Sequence, residues 1–312
     1  MTHPAHKING LHPLLAAAVE KRSLDPQYPA MSVTDVRNLA RARQGVPERR
    51  PEVHSVEDFS FAGLAGIIPA RLYRPSAGSN LPLIVYFHGG GFVTGDLDSH
   101  DSILRHLVNA SGAMVLSVDY RLAPEHPFPA AVEDADMALQ FAISNAAAFS
   151  ADPNAIFAAG DSAGATLALA GSAVTEKLAG LLLFYPVTDL TRIGDTESYA
   201  RFGDGSAGLS QGDMQWLAGH YAPEGIDRRE WRCSPLYAGP DIHFPPVFIV
   251  TAEYDVLRSE GEAFAQLLQD RGVSTEHHAV PGVNHGFLGA DNAVPQVAST
   301  FAAASAWIAA CN

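Results

Sequence analysis

Five strongly apolar runs punctuate the second part of the chain: LPLIVYF, then AMVLSVDY at 113–120, NAIFAAG at 154–160, GLLLFYP at 180–186 and PVFIVTAE at 246–253. Apolar runs of this length, without strict alternation, mark strands buried on both faces. Helix-like segments lie between them, at 100–110, 129–147, 163–177 and 257–271. A strand-like stretch at 274–280 precedes a closing helix at 295–309. Such alternation predicts an α/β domain with a mostly parallel sheet, right-handed crossovers and flanking helices. Upstream, residues 53–61 and 67–73 alternate around a glycine-containing turn, as an antiparallel hairpin does. Together these segments make a sheet of about eight strands.

Two stretches fall outside that rhythm. Residues 11–22 and 34–44 have helical spacing, with apolar stripes of Leu14, Leu15, Ala18 and Val19, and of Val36, Leu39 and Ala40. Thr34, just before Asp35, reads as the N-cap of the second helix. Residues 188–245 are too long for a plain connection and hold a helical core from Met214 to Tyr221. They read as an inserted lid, which the N-terminal helices could join. The expected division is one α/β domain over 51–312, with 188–230 as a cap insertion, and an N-terminal helical cap segment over 1–50.

Charge excludes some partners. The 312 residues carry 34 acidic and 20 basic side chains, a net charge of −14, with no basic block. Phosphate contacts need Lys and Arg, so neither nucleic acid nor an anionic membrane is an expected partner. No apolar run approaches the roughly 20 residues of a membrane span. The N-terminal apolar patch is flanked by Glu20, Lys21 and Arg22 and reads as a helix rather than a signal peptide. Cys233 and Cys311 are too few for a disulfide framework, so a cytoplasmic protein is expected.

The run NAIFAAG leads into Gly160-Asp161-Ser162-Ala163-Gly164, and a helix-like segment follows at once. This is G-x-S-x-G on a strand-to-helix turn. A serine there needs small neighbours because the backbone is sharply bent, and the bend lifts its hydroxyl clear of the sheet. The first N–H groups of the helix then point at whatever the serine binds. The run LPLIVYF leads into His88-Gly89-Gly90-Gly91-Phe92. Three successive glycines carry an entropic cost. They make sense where backbone must approach a ligand closely and aim N–H donors at a developing oxyanion. A phosphate cradle is disfavoured, since no lysine and no G-x-x-x-x-G-K-[ST] pattern accompanies them.

HGGGF at 88–92, DYRLAPEHPFPAAVEDA at 119–135, GDSAG at 160–164, TAEYDVLRSEGEAF at 251–264 and NHGF at 284–287 occur in that order. Together they resemble the bacterial hormone-sensitive-lipase-like (family IV) carboxylesterases of the α/β-hydrolase superfamily, over residues 55–310. The resemblance implies an α/β-hydrolase fold with a helical cap. It also implies a serine carboxylesterase that cleaves short- to medium-chain acyl esters of small molecules, without cofactor or metal. A homodimer through an exposed edge strand, 274–280, is compatible with it. Departures are small: Gly164-Ala165 stands where a second glycine is frequent, and Val256 and Ser259 where proline and aspartate are common.

By the same resemblance Ser162 is the nucleophile, His285 the base and Asp255 the acid, in the chain order this fold uses. Glu253 is the rival acid, two residues away. An Asp at 255 could equally cap the following helix, and both roles can hold at once. The N–H groups of Gly90, Gly91 and Ala163 would form the oxyanion hole, with Gly89 the near alternative. His88 would brace the loop. Arg121, Glu125, Glu133 and Asp134 read as a buried polar network rather than a substrate site. Phe92, Asp161, Phe202, Met214, Trp216, Leu217 and Tyr221 are candidate pocket residues. His277 and His278 are adjacent in a strand and face opposite ways, so they cannot act together. No metal-ligand spacing occurs. Two other readings stand beside esterase: a non-catalytic small-molecule binder on the same fold, and hydrolysis of amide, lactone or carbamate bonds.

Overall fold

The computed structural model describes residues 8–44, 50–173 and 175–311. Two helices come first, α1 (Pro13–Arg22) and α2 (Val33–Gln44). The face α1 buries is Leu15 and Val19, with Leu11 just before it, while Leu14 is exposed. The stripe therefore keeps one residue per turn of the expected set, and Ala18 faces outward. Helix α2 starts one residue earlier than expected. Its cap is Ser32, not Thr34: the Ser32 hydroxyl accepts from the Asp35 N–H at 3.2 Å and donates to the Asp35 carboxylate at 2.6 Å. The first bond satisfies one orphan donor at the helix start, and the second holds the Asp35 carboxylate beside it.

The hairpin forms as β1 (Ser55–Ala62) and β2 (Ile67–Arg74), antiparallel, with Ala62 opposite Ile67. The apolar runs become β3 (Leu81–Phe87), β4 (Met114–Val118), β5 (Ala151–Asp161), β6 (Gly180–Phe184) and β7 (Val247–Tyr254). The last strand, β8 (Thr275–Asn284), runs four residues past its expected end. The eight strands lie in the order β1-β2-β4-β3-β5-β6-β7-β8, and every pairing after β2–β4 is parallel.

Between the parallel strands run α3 (Asp101–Ser111), α4 (Ala130–Ser144), α5 (Ala163–Ser172) and, further on, α8 (Arg258–Asp270), with α9 (Pro295–Ala310) closing the chain. Residues 188–245 hold α6 (Glu197–Phe202), which hydrophobic periodicity does not reveal, and α7 (Gln211–Tyr221). Helix α3 packs with α9, and α4 with α5. Right-handed crossovers require this split, because β3 is followed by β4 on one side and flanked by β5 on the other. A reversal of winding opens a crevice at the carboxyl ends of β3 and β5. The two glycine motifs sit at those two ends. Among the described residues no single helix is long and apolar enough to cross a membrane.

Candidate active site

Ser162 sits between β5 and α5 at φ 53° and ψ −120°, a conformation side chains rarely adopt. Such strain costs on the order of 1–3 kcal/mol and persists only where neighbours over-determine it. Here the Ser162 N–H donates to the Phe184 carbonyl at 2.8 Å, and its carbonyl accepts from Ala165 at 3.1 Å and Val187 at 3.3 Å. The flanking glycines are steric necessities. A Cβ on Gly164 would land on the Phe87 carbonyl oxygen, and one on Gly160 would land on the Gly164 backbone.

The side chains expected to work with Ser162 converge on it. His285 Nε2 lies 2.9 Å from Ser162 Oγ, and His285 Nδ1 lies 2.7 Å from Asp255 Oδ2. With the proton on Nδ1 donated to the carboxylate, Nε2 is left as an acceptor for the serine hydroxyl. Asp255 is buried, and its other oxygen accepts the Leu257 N–H at 2.9 Å, so one carboxylate both orients the imidazole and closes the turn into α8. Glu253, the rival acid, accepts instead from the Gly282 N–H at 2.8 Å. The edge of Tyr185 packs on the His285 ring with centroids 4.9 Å apart.

The loop after β3 faces the serine. The N–H groups of Gly90, Gly91 and Ala163 donate to no described residue. Gly89 differs from its neighbours. Its N–H is committed to Asp161 Oδ1 at 2.9 Å. Asp161 thus ties the elbow to the glycine loop, helped by the Tyr86 hydroxyl at 2.9 Å and His100 Nε2 at 3.1 Å. Burial alone would raise the Asp161 carboxyl, but His100, Tyr86 and the Gly89 N–H outweigh it and hold it below the ordinary carboxylate value. His88 is fully buried and stacked on Tyr120, with its Nδ1 2.8 Å from the Gly89 carbonyl. Burial, with His100 nearby, lowers its pKa to about 4, so the ring stays neutral. Tyr86 of β3 and His100, just before α3, carry no sequence signal for this role, because nothing local connects them to residue 161.

A cavity of about 280 Å³ opens above Ser162. Of the candidate pocket residues, Phe92, Asp161, Met214 and Leu217 line it. Three do not. Phe202 packs edge-on against Tyr254, Trp216 tilts onto Tyr28 and His220, and Tyr221 is fully buried, stacked on Phe92 at 3.7 Å. All three use their rings to fix the insertion to its surroundings. Arg22, Tyr28, Tyr185, Leu190 and Leu209 are lining residues that the motifs do not mark. The only available signal for Arg22 is its place at i+7 from Leu15 and i+3 from Val19, on the buried stripe of α1.

Other expectations sort as follows. Arg121 binds Asp134 at 2.9 Å and Glu133 at 3.0 Å. Glu125 is not part of that network; it forms a two-pronged pair with Arg37 of α2, both contacts at 2.7 Å. His277 meets Thr251 and His278 meets Glu276, away from Ser162. Among the described residues no group of three or more His, Cys, Asp or Glu side chains is placed to hold a metal ion.

The sheet order, the strained serine turn and the facing glycine loop define a hydrolase of the α/β type. A family profile described as "alpha/beta hydrolase fold" matches residues 84–289, and the chain belongs to that family, in its hormone-sensitive-lipase-like branch of carboxylesterases. It is 41% identical to "Carboxylic ester hydrolase LipN" of Mycobacterium tuberculosis over 76% of this chain and 66% of that protein. It is 37% identical to "Carboxylesterase NlhH" of the same organism, over 96% of this chain and 95% of that one. Among solved structures, the hyperthermophilic esterase from the archaeon Pyrobaculum calidifontis superposes with a TM-score of 0.92 at 35% identity, covering 97% of this chain and all of that one.

Proposed function

We propose that this carboxylic ester hydrolase cleaves short- to medium-chain acyl esters of small molecules by acyl transfer to Ser162. One observation carries the reading: the hydrogen-bonded series Asp255–His285–Ser162, at 2.7 and 2.9 Å, beside three N–H groups with no acceptor among the described residues. His285 Nε2 takes the hydroxyl proton as Ser162 Oγ attacks the ester carbonyl. Asp255 stabilises the resulting imidazolium. The N–H groups of Gly90, Gly91 and Ala163 hold the oxyanion, each contributing about 3 kcal/mol to lowering the barrier. His285 then gives its proton to the departing alcohol. Water repeats the sequence on the acyl-enzyme and releases the acid. None of these steps calls for a cofactor.

A cavity of about 280 Å³ is at the small end for ligand sites, which supports short rather than long acyl chains. Residues 1–50 and 188–230 act as a cap over the remaining catalytic domain in this reading, since both Arg22 and Tyr28 on one side and Met214 and Leu217 on the other wall the cavity. Both cysteines are free, in keeping with a reducing cytoplasm. Strand β8 ends the sheet and leaves an edge through which a homodimer would pair.

The test is a series of p-nitrophenyl esters of increasing acyl length. Activity should peak at short chains. Ser162→Ala and His285→Ala should each lower kcat by about 10⁴-fold or more, while His278→Ala stays within about twofold of the native rate. A preference for acyl chains beyond about twelve carbons would remove the substrate assignment. Absence of turnover with every ester would remove the reading itself.

A further inference from the structure

Donors outnumber acceptors at the wall of the cavity supplied by the N-terminal segment. Arg22 and Tyr28 both line it, with the Arg22 guanidinium 5.3 Å from the Tyr28 ring centre. Arg22 Nη2 donates to Asp213 Oδ2 at 2.8 Å. That carboxylate does not depend on Arg22 alone. It also accepts the N–H of Ser210 at 3.2 Å and the N–H of Tyr28 at 3.4 Å. It stands, moreover, in the first turn of α7, where the helix dipole favours negative charge. Asp213 is thus compensated several times over, whereas the guanidinium has one partner. Its Nε and Nη1 and the Tyr28 hydroxyl have no acceptor among the described residues and are open to solvent rather than buried. The guanidinium side chain is 29% exposed, and Leu209, Met214 and Leu217 of the same cavity offer no acceptor.

Unmatched donors at the edge of an apolar cavity favour a ligand that brings the acceptor, because a site built to hydrogen-bond a polar group discriminates strongly for its presence. We infer that the chain accepts monoesters of short dicarboxylic acids, with Arg22 and the Tyr28 hydroxyl binding the free carboxylate while the ester end lies at Ser162. The inference rests on Ser162 as nucleophile and narrows its substrate. The bonds balance as in any ester hydrolysis: water is consumed, the acyl–oxygen bond breaks, and alcohol and a dicarboxylic acid leave. Planar guanidinium suits a carboxylate better than ammonium does, and a charge-assisted bond is about twice as strong as a neutral one.

The deciding measurement is kcat/KM, by pH-stat, for monomethyl and dimethyl glutarate and adipate. The native protein, Arg22→Gln, Arg22→Lys and Tyr28→Phe are compared. Arg22→Gln should lower kcat/KM for the monoesters about tenfold more than for the diesters, chiefly through KM. Arg22→Lys should recover part of that loss, and Tyr28→Phe should cost the monoesters about threefold. An equal loss on monoester and diester in Arg22→Gln overturns the inference, since it would mean a merely structural role. So does a native protein that hydrolyses the diesters but not the monoesters. Failure of the native protein on all four substrates, and on p-nitrophenyl esters, overturns the ester-hydrolase reading instead.

Discussion

The sheet and the segments above it are built on different principles. Strands β3 to β7 bury almost every side chain, and their ends hold the elbow and the glycine loop through backbone hydrogen bonds and overlap-free glycines. Residues 8–44 and 188–245 attach through individual side chains: Arg37 to Glu125 and the Val93 and Ala123 carbonyls, Tyr254 hydroxyl to the Asn9 carbonyl, Thr188 to Glu260, and the rings of Tyr221 on Phe92 and Phe202 on Tyr254, while Arg22 to Asp213 ties the two segments to each other. A buried Leu or Phe contributes about 2–3 kcal/mol, while a partly exposed ion pair contributes about 1 kcal/mol or less. The comparison teaches that the elbow and glycine loop rest on backbone ladders, whereas the segments that wall the cavity are held by side-chain contacts whose partners lie far away in sequence.

Glycine-to-alanine substitution breaks or sharpens that contrast most directly. Gly164→Ala would drive a methyl into the Phe87 carbonyl of a central strand. It should lower stability by about 3 kcal/mol or more, read as a large drop in the chemical-denaturation midpoint. Survival at native stability would show that the elbow can give way.

His88 ranks next, and its effect depends on pH. Burial lowers its pKa from 6.5 to about 4, so between those values the unfolded chain takes up a proton that the folded chain refuses. Its contribution is present above pH 6.5 and lost as the pH falls toward 4, to an extent of about 3 kcal/mol. His88→Asn should be less stable near neutrality yet show a flatter stability slope across that window. An unchanged slope would mean that His88 is not the neutral, buried group described.

The smallest effect has the opposite sign. Gly219 is exposed in α7, and a Cβ there would meet nothing within 4 Å. Gly219→Ala should therefore raise stability by about 0.5–1 kcal/mol, by the ordinary helix preference for alanine. A loss in calorimetry would show that α7 is less regular, or more tightly covered, than the structure has it.

The same contrast explains what could be read in advance. Two-sided apolar runs marked the central strands because burial on both faces leaves a one-dimensional signature. The elbow was legible because its requirement for glycine is local. The insertion was harder. Phe202, Trp216 and Tyr221 are as apolar as Met214 and Leu217, and only the tertiary arrangement decides which of them face the cavity. Glu125 lies in the same motif as Arg121, yet its partner comes from α2, 88 residues away. Ser32 and Thr34 are both competent capping residues, and only the hydrogen bond to Asp35 makes Ser32 the cap of α2. Nothing in the sequence distinguishes Gly89 from its neighbours; its N–H bond to Asp161 does.

The strained backbone at Ser162 has a consequence for stability as well as for the reaction. A glycine at that position would adopt φ 53° freely, relieving about 1–3 kcal/mol against a cost of about 0.5–1 kcal/mol from greater freedom in the unfolded chain. The inert protein would then be the sturdier one. With Ser162 as the proposed nucleophile, the residue that does the chemistry is then one that stability alone would replace.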